Sequence, residues 1–66
     1  MLYRLKVPNM AGLPNEVDAI QLIDEITLYK PLEKKHAYPG DYLYDDHGIQ
    51  DIITMSIFDE CYKRVI

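Results

Sequence analysis

The residues with the most obvious chemical reach lie in one short stretch, Asp45-Asp46-His47-Gly48. An imidazole beside two carboxylates is the donor set of a general base or of a metal site. One short turn supplies two or three ligands, whereas a transition-metal centre closes a defined polyhedron with more. The second histidine, His36, lies eleven positions earlier. An EF-hand loop is excluded by its missing ligand spacing and missing terminal Glu. Turn chemistry is the simpler reading of this stretch, and a weak metal-dependent enzyme built on Asp45 and His47 is the lesser alternative.

The single cysteine, Cys61, rules out an internal disulfide and a zinc cluster. Lys63 and Arg64 follow it closely, but on a helix it shares a face with Phe58 and Tyr62. That suits a half-buried packing residue rather than an activated nucleophile. Two-carboxylate hydrolysis is equally poorly served, because Asp45 and Asp46 are adjacent and a chain this small offers little to enclose a substrate. No Gly-rich phosphate fingerprint is present. The expectation is a protein that is not an enzyme and uses no cofactor or metal.

The tyrosines are the better lead. There are six, with no tryptophan. Tyr38, Tyr42 and Tyr44 gather around Asp41, Asp45, Asp46 and Asp51. Tyr42 and Tyr44 alternate onto one face of a strand, where they either fill a small core or line an exposed surface. The exposed version is an aromatic patch ringed by acids, the anatomy of an interface hot spot facing an Arg-rich partner. The expected protein-binding residues are therefore Tyr38, Asp41, Tyr42, Tyr44, Asp45, Asp46 and Asp51.

Charge points the same way. Eleven acids against seven Lys and Arg give a net charge of -4, and six acids but no Lys or Arg fall between Asp41 and Glu60. Phosphate binding draws its affinity from Lys and Arg releasing counterions, so direct nucleic-acid binding is not expected and a basic protein partner is. An acidic surface can also imitate nucleic acid, although -4 is modest for that role. No apolar run approaches the roughly 18 residues that span a bilayer, and no signal-peptide core is visible, so the expected location is the cytoplasm.

These residues need elements to position them. At 66 residues and 7.7 kDa the chain accommodates one domain, residues 1–66. Area scaling gives a folded surface of about 4,300 Å² and burial of about 60% of the unfolded surface. Leu2 to Val7 alternate Tyr3, Leu5 and Val7 against charged neighbours, which predicts a strand stopped by Pro8. Residues 18–27 place Ala19, Ile20, Leu22, Ile23 and Ile26 on one helical face, with Asp18, Gln21, Asp24 and Glu25 opposite, predicting a central helix over about 15–28. A strand over Glu16 to Leu22, with Val17, Ala19 and Gln21 on one face, is the competing reading. "KPLEKKHAY" (Lys30 to Tyr38) reads as a loop or the start of an edge strand whose lysines discourage pairing. Pro39-Gly40 fits the centre of a type II turn, and residues 41–55 form a hairpin around Asp45 to Gly48. Ser56 and Asp59 have capping-box-like spacing, and Ile57, Phe58, Cys61, Tyr62 and Val65 predict a short C-terminal helix over about 57–64. Its Asp59 and Glu60 would complement the positive end and Lys63 and Arg64 the negative end. The fold class is α+β: a small antiparallel sheet with the 41–55 hairpin, a central helix and a short terminal helix.

The C-terminal half, "PGDYLYDDHG", an apolar strand and "IFDECYKRV", resembles the module that ends a group of small, uncharacterised bacteriophage and prophage proteins. There a Pro-Gly-Asp-Tyr turn leads into a hairpin and a Phe-x-x-x-Tyr helix closes the domain. The matching positions are Pro39, Gly40, Asp41, Tyr42, Gly48, Phe58 and Tyr62. "VDAIQL" (Val17 to Leu22) resembles the Val-Glu-Ala-Ile-Gln segment near the start of such proteins, where it forms the first strand. The resemblance covers roughly 28 residues and implies a phage origin and a bacterial-host cytoplasm, without implying any catalytic residue. The functional expectation is a protein-binding module that modulates or inhibits a host protein. Alternatives are a homo-oligomeric accessory or structural protein, a homodimer among them, and a nucleic-acid-mimicking inhibitor.

Overall fold

A computed structural model describes residues 1–65 of the chain. The architecture is a strand-rich α+β fold with an accessible surface of 4750 Å², close to the area that scaling gives for this mass. Five strands form one antiparallel sheet: β1 (Leu2–Leu5), β2 (Glu16–Gln21), β5 (Tyr42–Asp46), β6 (Ile49–Ile53) and β7 (Tyr62–Arg64), in the order β6-β5-β2-β1-β7. Between β2 and β5 the chain makes a separate two-stranded ribbon, β3 (Ile26–Lys30) and β4 (Glu33–Ala37). One helix, α1 (Met55–Cys61), joins β6 to β7.

The expected central helix over about 15–28 is absent; those residues form β2, a bend and the start of β3. The reason is visible in the burial. Only Val17 and Ala19, two apart, are enclosed by β2, whereas Ile20 and Ile23 of the expected helical face are 56% and 87% exposed. β2 pairs with β1 on one side and β5 on the other, so both of its backbone edges are hydrogen-bonded. A lone helix here would leave β5 and β1 with open edges, and tertiary pairing overrides the 3.6-residue period. The competing strand reading of this segment is the one the fold adopts. β1 is also shorter than expected: it ends at Leu5, leaving Val7 exposed.

The 41–55 hairpin is present as β5 and β6, joined by His47 and Gly48 with φ of +52° and +90°. Two positive φ values match the type I′ turn that suits the right-handed twist of a two-residue hairpin. Asp45 Oδ1 accepts the Gly48 N–H at 2.6 Å. The preceding turn also matches expectation: the Asp41 N–H donates to the Tyr38 carbonyl at 3.0 Å around Pro39-Gly40, with Gly40 at φ +97°.

The C-terminal segment differs in its boundaries. The helix runs from Met55 to Cys61, and Tyr62–Arg64, expected to be helical, are strand β7 paired with β1. Thr54 is the N-cap, without a side-chain bond, so the expected Ser56 cap and the Lys63–Arg64 complement to the helix dipole are not realised. Pairing with β1 wins because the Leu5–Tyr62 register sends Tyr62 into the core, where it is 3% exposed.

Between sheet and helix lie Leu5, Val17, Ala19, Tyr42, Tyr44, Ile53, Phe58, Cys61 and Tyr62. Phe58 is stacked between Tyr42 (centroids 3.9 Å apart) and Tyr62 (4.7 Å), with Tyr3 edge-on at 4.8 Å. Offset and edge-to-face contacts of this kind add to simple area burial. The Tyr62 hydroxyl donates to the Pro14 carbonyl at 2.6 Å, tying the β1–β2 loop to the core.

Candidate functional site

The outer face of the sheet, opposite the aromatic core, carries the most distinctive juxtaposition of side chains. Strand registers place Ile20 beside Leu43 and Leu43 beside Ile52, an aliphatic row across β2, β5 and β6. Ile20 is 56% exposed, and Leu43 and Ile52 are half-buried. One step along the strands, Asp18 stands directly opposite Asp45, with Gln50 beyond it on β6. Like charges directly opposite on neighbouring strands destabilise a sheet. Asp45 gives one oxygen to the Gly48 N–H, and Asp18 takes the chain's amino terminus while staying 73% exposed. Asp18, Ile20, Leu43, Tyr44, Asp45 and Gln50 border a shallow hollow of about 170 Å³. Ile20 also borders a second hollow with Leu22, Ile23, Asp24 and Ile26.

The expected binding residues are divided by the fold. Tyr42 and Tyr44 are 8% and 9% exposed and pack in the core, so they form no surface aromatic patch. Of the two arrangements open to them, packing is the one adopted, because β5 lies near the middle of the sheet and its Tyr42/Tyr44 face meets Phe58. Burial raises both phenols above their ordinary pKa, with nearby carboxylates adding to it. Tyr62 is pushed up to about 12, again mainly by burial.

Asp41 links several elements through its carboxylate and its backbone. Its Oδ2 accepts the Tyr38 N–H at 3.0 Å and its Oδ1 the Met55 N–H at 3.3 Å, joining the Pro39-Gly40 turn to the first residue of α1. The Leu22 N–H donates to the Asp41 carbonyl and the Gly40 N–H to the Leu22 carbonyl, each at 2.8 Å. Asp51 is also committed internally: it accepts from Lys35 at 2.6 Å, Lys30 at 3.3 Å and the Ile52 N–H at 2.8 Å, pinning the ribbon to the sheet. Its partial burial acts to raise its pKa, but these three donors outweigh that, and the carboxyl lies below its usual range. The same hydrogen bond lifts the Lys35 amine, against a smaller opposing effect of burial.

Asp45, Asp46 and Tyr38 remain at the surface, Tyr38 stacked edge-on against His36 on the ribbon side. Asp46 Oδ1 accepts from His47 Nδ1 at 2.8 Å, and His36 is engaged separately with Thr27 and Glu25. Among the described residues no group of three or more His, Cys, Asp or Glu side chains is assembled for a metal ion. Cys61 is buried. Among the described residues no helix is long and apolar enough to cross a membrane.

Sequence reasoning thus found Asp45 but missed Asp18, Ile20, Leu43 and Ile52. The signal for them was the strand alternation of "EVDAIQL", which puts Asp18 and Ile20 opposite the buried Val17 and Ala19. No protein-family model matches the chain, and no curated protein or solved structure matches it.

Proposed function

We propose that the chain is a small, non-enzymatic protein-binding module whose contact surface is the outer sheet face. One observation carries this reading: Asp18 and Asp45 occupy directly opposed strand positions beside an aliphatic row whose Ile20 is exposed and whose Leu43 and Ile52 are half-buried. Within the monomer Asp18 pairs with the amino terminus and Asp45 accepts the Gly48 N–H, while Asp45 makes no ion pair among the described residues. A partner that covers Ile20, Leu43 and Ile52 and brings a Lys or Arg to the acid pair gains apolar burial and relieves the repulsion together. The partner is therefore a protein surface with an apolar centre and a basic rim. A basic side chain that meets Asp45 sets the orientation of such a partner.

The resemblance of the C-terminal half to phage modules makes a bacterial host protein the first partner to seek, with the module modulating it in the host cytoplasm. The binding residues are Asp18, Ile20, Leu43, Asp45 and Ile52; Asp46 and Tyr38 lie outside the face. The test is affinity capture from bacterial lysate with three baits in parallel: the wild type, Ile20→Ser and Asp45→Asn. A protein retained stoichiometrically by the wild type and lost from both variants supports the reading. Equal retention by all three refutes it, because the contact would then lie elsewhere.

A further inference from the structure

The basic, apolar counterpart that the outer face calls for is present on the chain itself. Between Ile26 and Tyr38 the sequence carries Lys30, Lys34 and Lys35 against Glu33 alone, while the remainder carries ten acids against four bases. Lys30 and Lys35 are held by Asp51. Lys34 makes no ion pair among the described residues and stands beside Tyr29 on the ribbon's outer side. The ribbon tip is the two-residue turn Pro31-Leu32, between the paired Lys30 and Glu33. Pro31 fixes its own φ, so the tip is preorganised, and it presents Leu32 at 100% exposure with Tyr29 at 78%. A fully exposed leucine on a rigid turn, next to a free lysine, complements an aliphatic hollow bordered by two carboxylates.

We propose that two copies of the chain pair reciprocally about a two-fold axis. The ribbon tip of each lies on the outer sheet face of the other: Leu32 against Ile20 and Leu43, and Lys34 against Asp18 and Asp45. The proposal rests on the outer face being the contact surface and names a second copy as its occupant. The charges select this geometry over the simpler stacking of two outer faces. A two-fold axis through stacked faces brings both Asp18–Asp45 pairs together, four carboxylates of which each Asp18 carries the Met1 ammonium and neither Asp45 makes an ion pair among the described residues. Lys34 supplies a cation for Asp45.

Two further observations fit. The shallow hollow of about 170 Å³ is bordered by Ile20 and Leu43, which offer apolar contact to one aliphatic side chain. Tip and hollow also sit at one corner of the molecule. Pro31 shares a depression with Gly48, Ile49 and Gln50, and Gln50 borders the acid-rimmed hollow as well. A two-fold axis beside that corner therefore makes both contacts at once, as the isologous pairing common among homodimers requires. Such a dimer covers the outer face, and a foreign partner has to compete with the second copy for it.

The test is the solution mass of the purified chain by light scattering and sedimentation, across micromolar to millimolar concentrations at low salt. Lys34→Glu, Asp45→Lys and their equimolar mixture are measured beside the wild type. Twice 7.7 kDa is expected for the wild type and 7.7 kDa for each charge-reversed variant alone. The mixture should regain the doubled mass, because both of its contacts again join opposite charges. Leu32→Ser, at a fully exposed position, should give the monomer mass with an unchanged circular dichroism spectrum, and it guards against failure of Asp45→Lys to fold. A wild type that stays monomeric throughout, or a dimer that survives all of these substitutions, overturns the proposal. A monomeric wild type whose lysate partner is lost from Ile20→Ser refutes self-pairing alone and leaves the binding face standing. Loss of neither association on changing that face refutes both.

Discussion

The Asp18–Asp45 pair makes a quantitative claim about the isolated monomer: it costs stability. Directly opposed residues on one sheet face have Cβ atoms about 4.5–5.5 Å apart, and opposed like charges cost roughly 0.2–1 kcal/mol. Coulomb's law gives a consistent size, about 0.8 kcal/mol for unit charges some 5 Å apart in water and more where the low-dielectric sheet excludes solvent. Both side chains are exposed, so the water-like figure applies. Single substitutions blur the term, because Asp18 also holds the amino terminus and Asp45 the Gly48 N–H. A double-mutant cycle with Asp18→Asn and Asp45→Asn removes those private contributions and keeps the pair term. Asn keeps an acceptor for Gly48. Urea unfolding at low ionic strength and sub-associating concentration should give a repulsive coupling of about 0.5 kcal/mol. In 1 M salt, where the Debye length is about 3 Å, the coupling should fall by more than half. A coupling of zero at low salt, or an attractive one, refutes the reasoning that these two carboxylates repel each other.

Four further outcomes follow from the packing and the backbone. Asp51→Asn should release the ribbon from the sheet at a cost of about 1–2 kcal/mol, read by urea unfolding and by faster amide exchange over 26–37 than over β5. The lowered Asp51 pKa makes its contribution complete above the ordinary value of 3.8 and lost as pH falls through the folded value. The raised Lys35 pKa makes that contribution complete below 10.5 and lost as pH rises through its folded value, so ribbon protection should be greatest between those limits. Phe58→Ala should cost about 3–5 kcal/mol, enough to abolish cooperative unfolding by circular dichroism in a domain of only a few kcal/mol. Ala11→Gly should raise the melting temperature, since Ala11 sits at φ +51° and relief of left-handed strain is worth about 1 kcal/mol before the added backbone entropy of Gly.

The hairpin at 41–55 and the Pro39-Gly40 turn were legible because their signals are local. Gly40 and Gly48 supply positive φ, and β-branched Ile49, Ile52 and Ile53 follow at strand positions. Residues 16–23 were ambiguous for a physical reason. "EVDAIQLI" satisfies both periods, and the choice depends on β1 and β5 offering edges on either side, information that lies far away in sequence. The same holds for Tyr62–Arg64, where helical spacing continues but β1 needs an edge partner. The site suffered most from this. Tyr42 and Tyr44 had to lie on one side of β5, yet only the packing of Phe58 decides which side is the core. Once it does, the face left to solvent includes Asp18, Ile20, Leu43, Asp45 and Ile52, with Arg4, Glu16 and Lys63 toward β1 and β7. Asp41 and Asp51, acidic by composition, are fully occupied by backbone N–H groups and lysines.

The central claim, that the outer sheet face is where this protein makes contact, is tested most directly by residue-resolved amide shifts recorded from 20 µM to 1 mM at low and high salt. The account predicts concentration-dependent shifts confined to Asp18, Ile20, Leu43, Asp45 and Ile52 with the Pro31-Leu32 tip and Lys34, diminishing as salt rises. Shifts centred on α1 and the β1–β2 loop, or none at any concentration together with unchanged lysate capture by the Ile20→Ser variant, would contradict it.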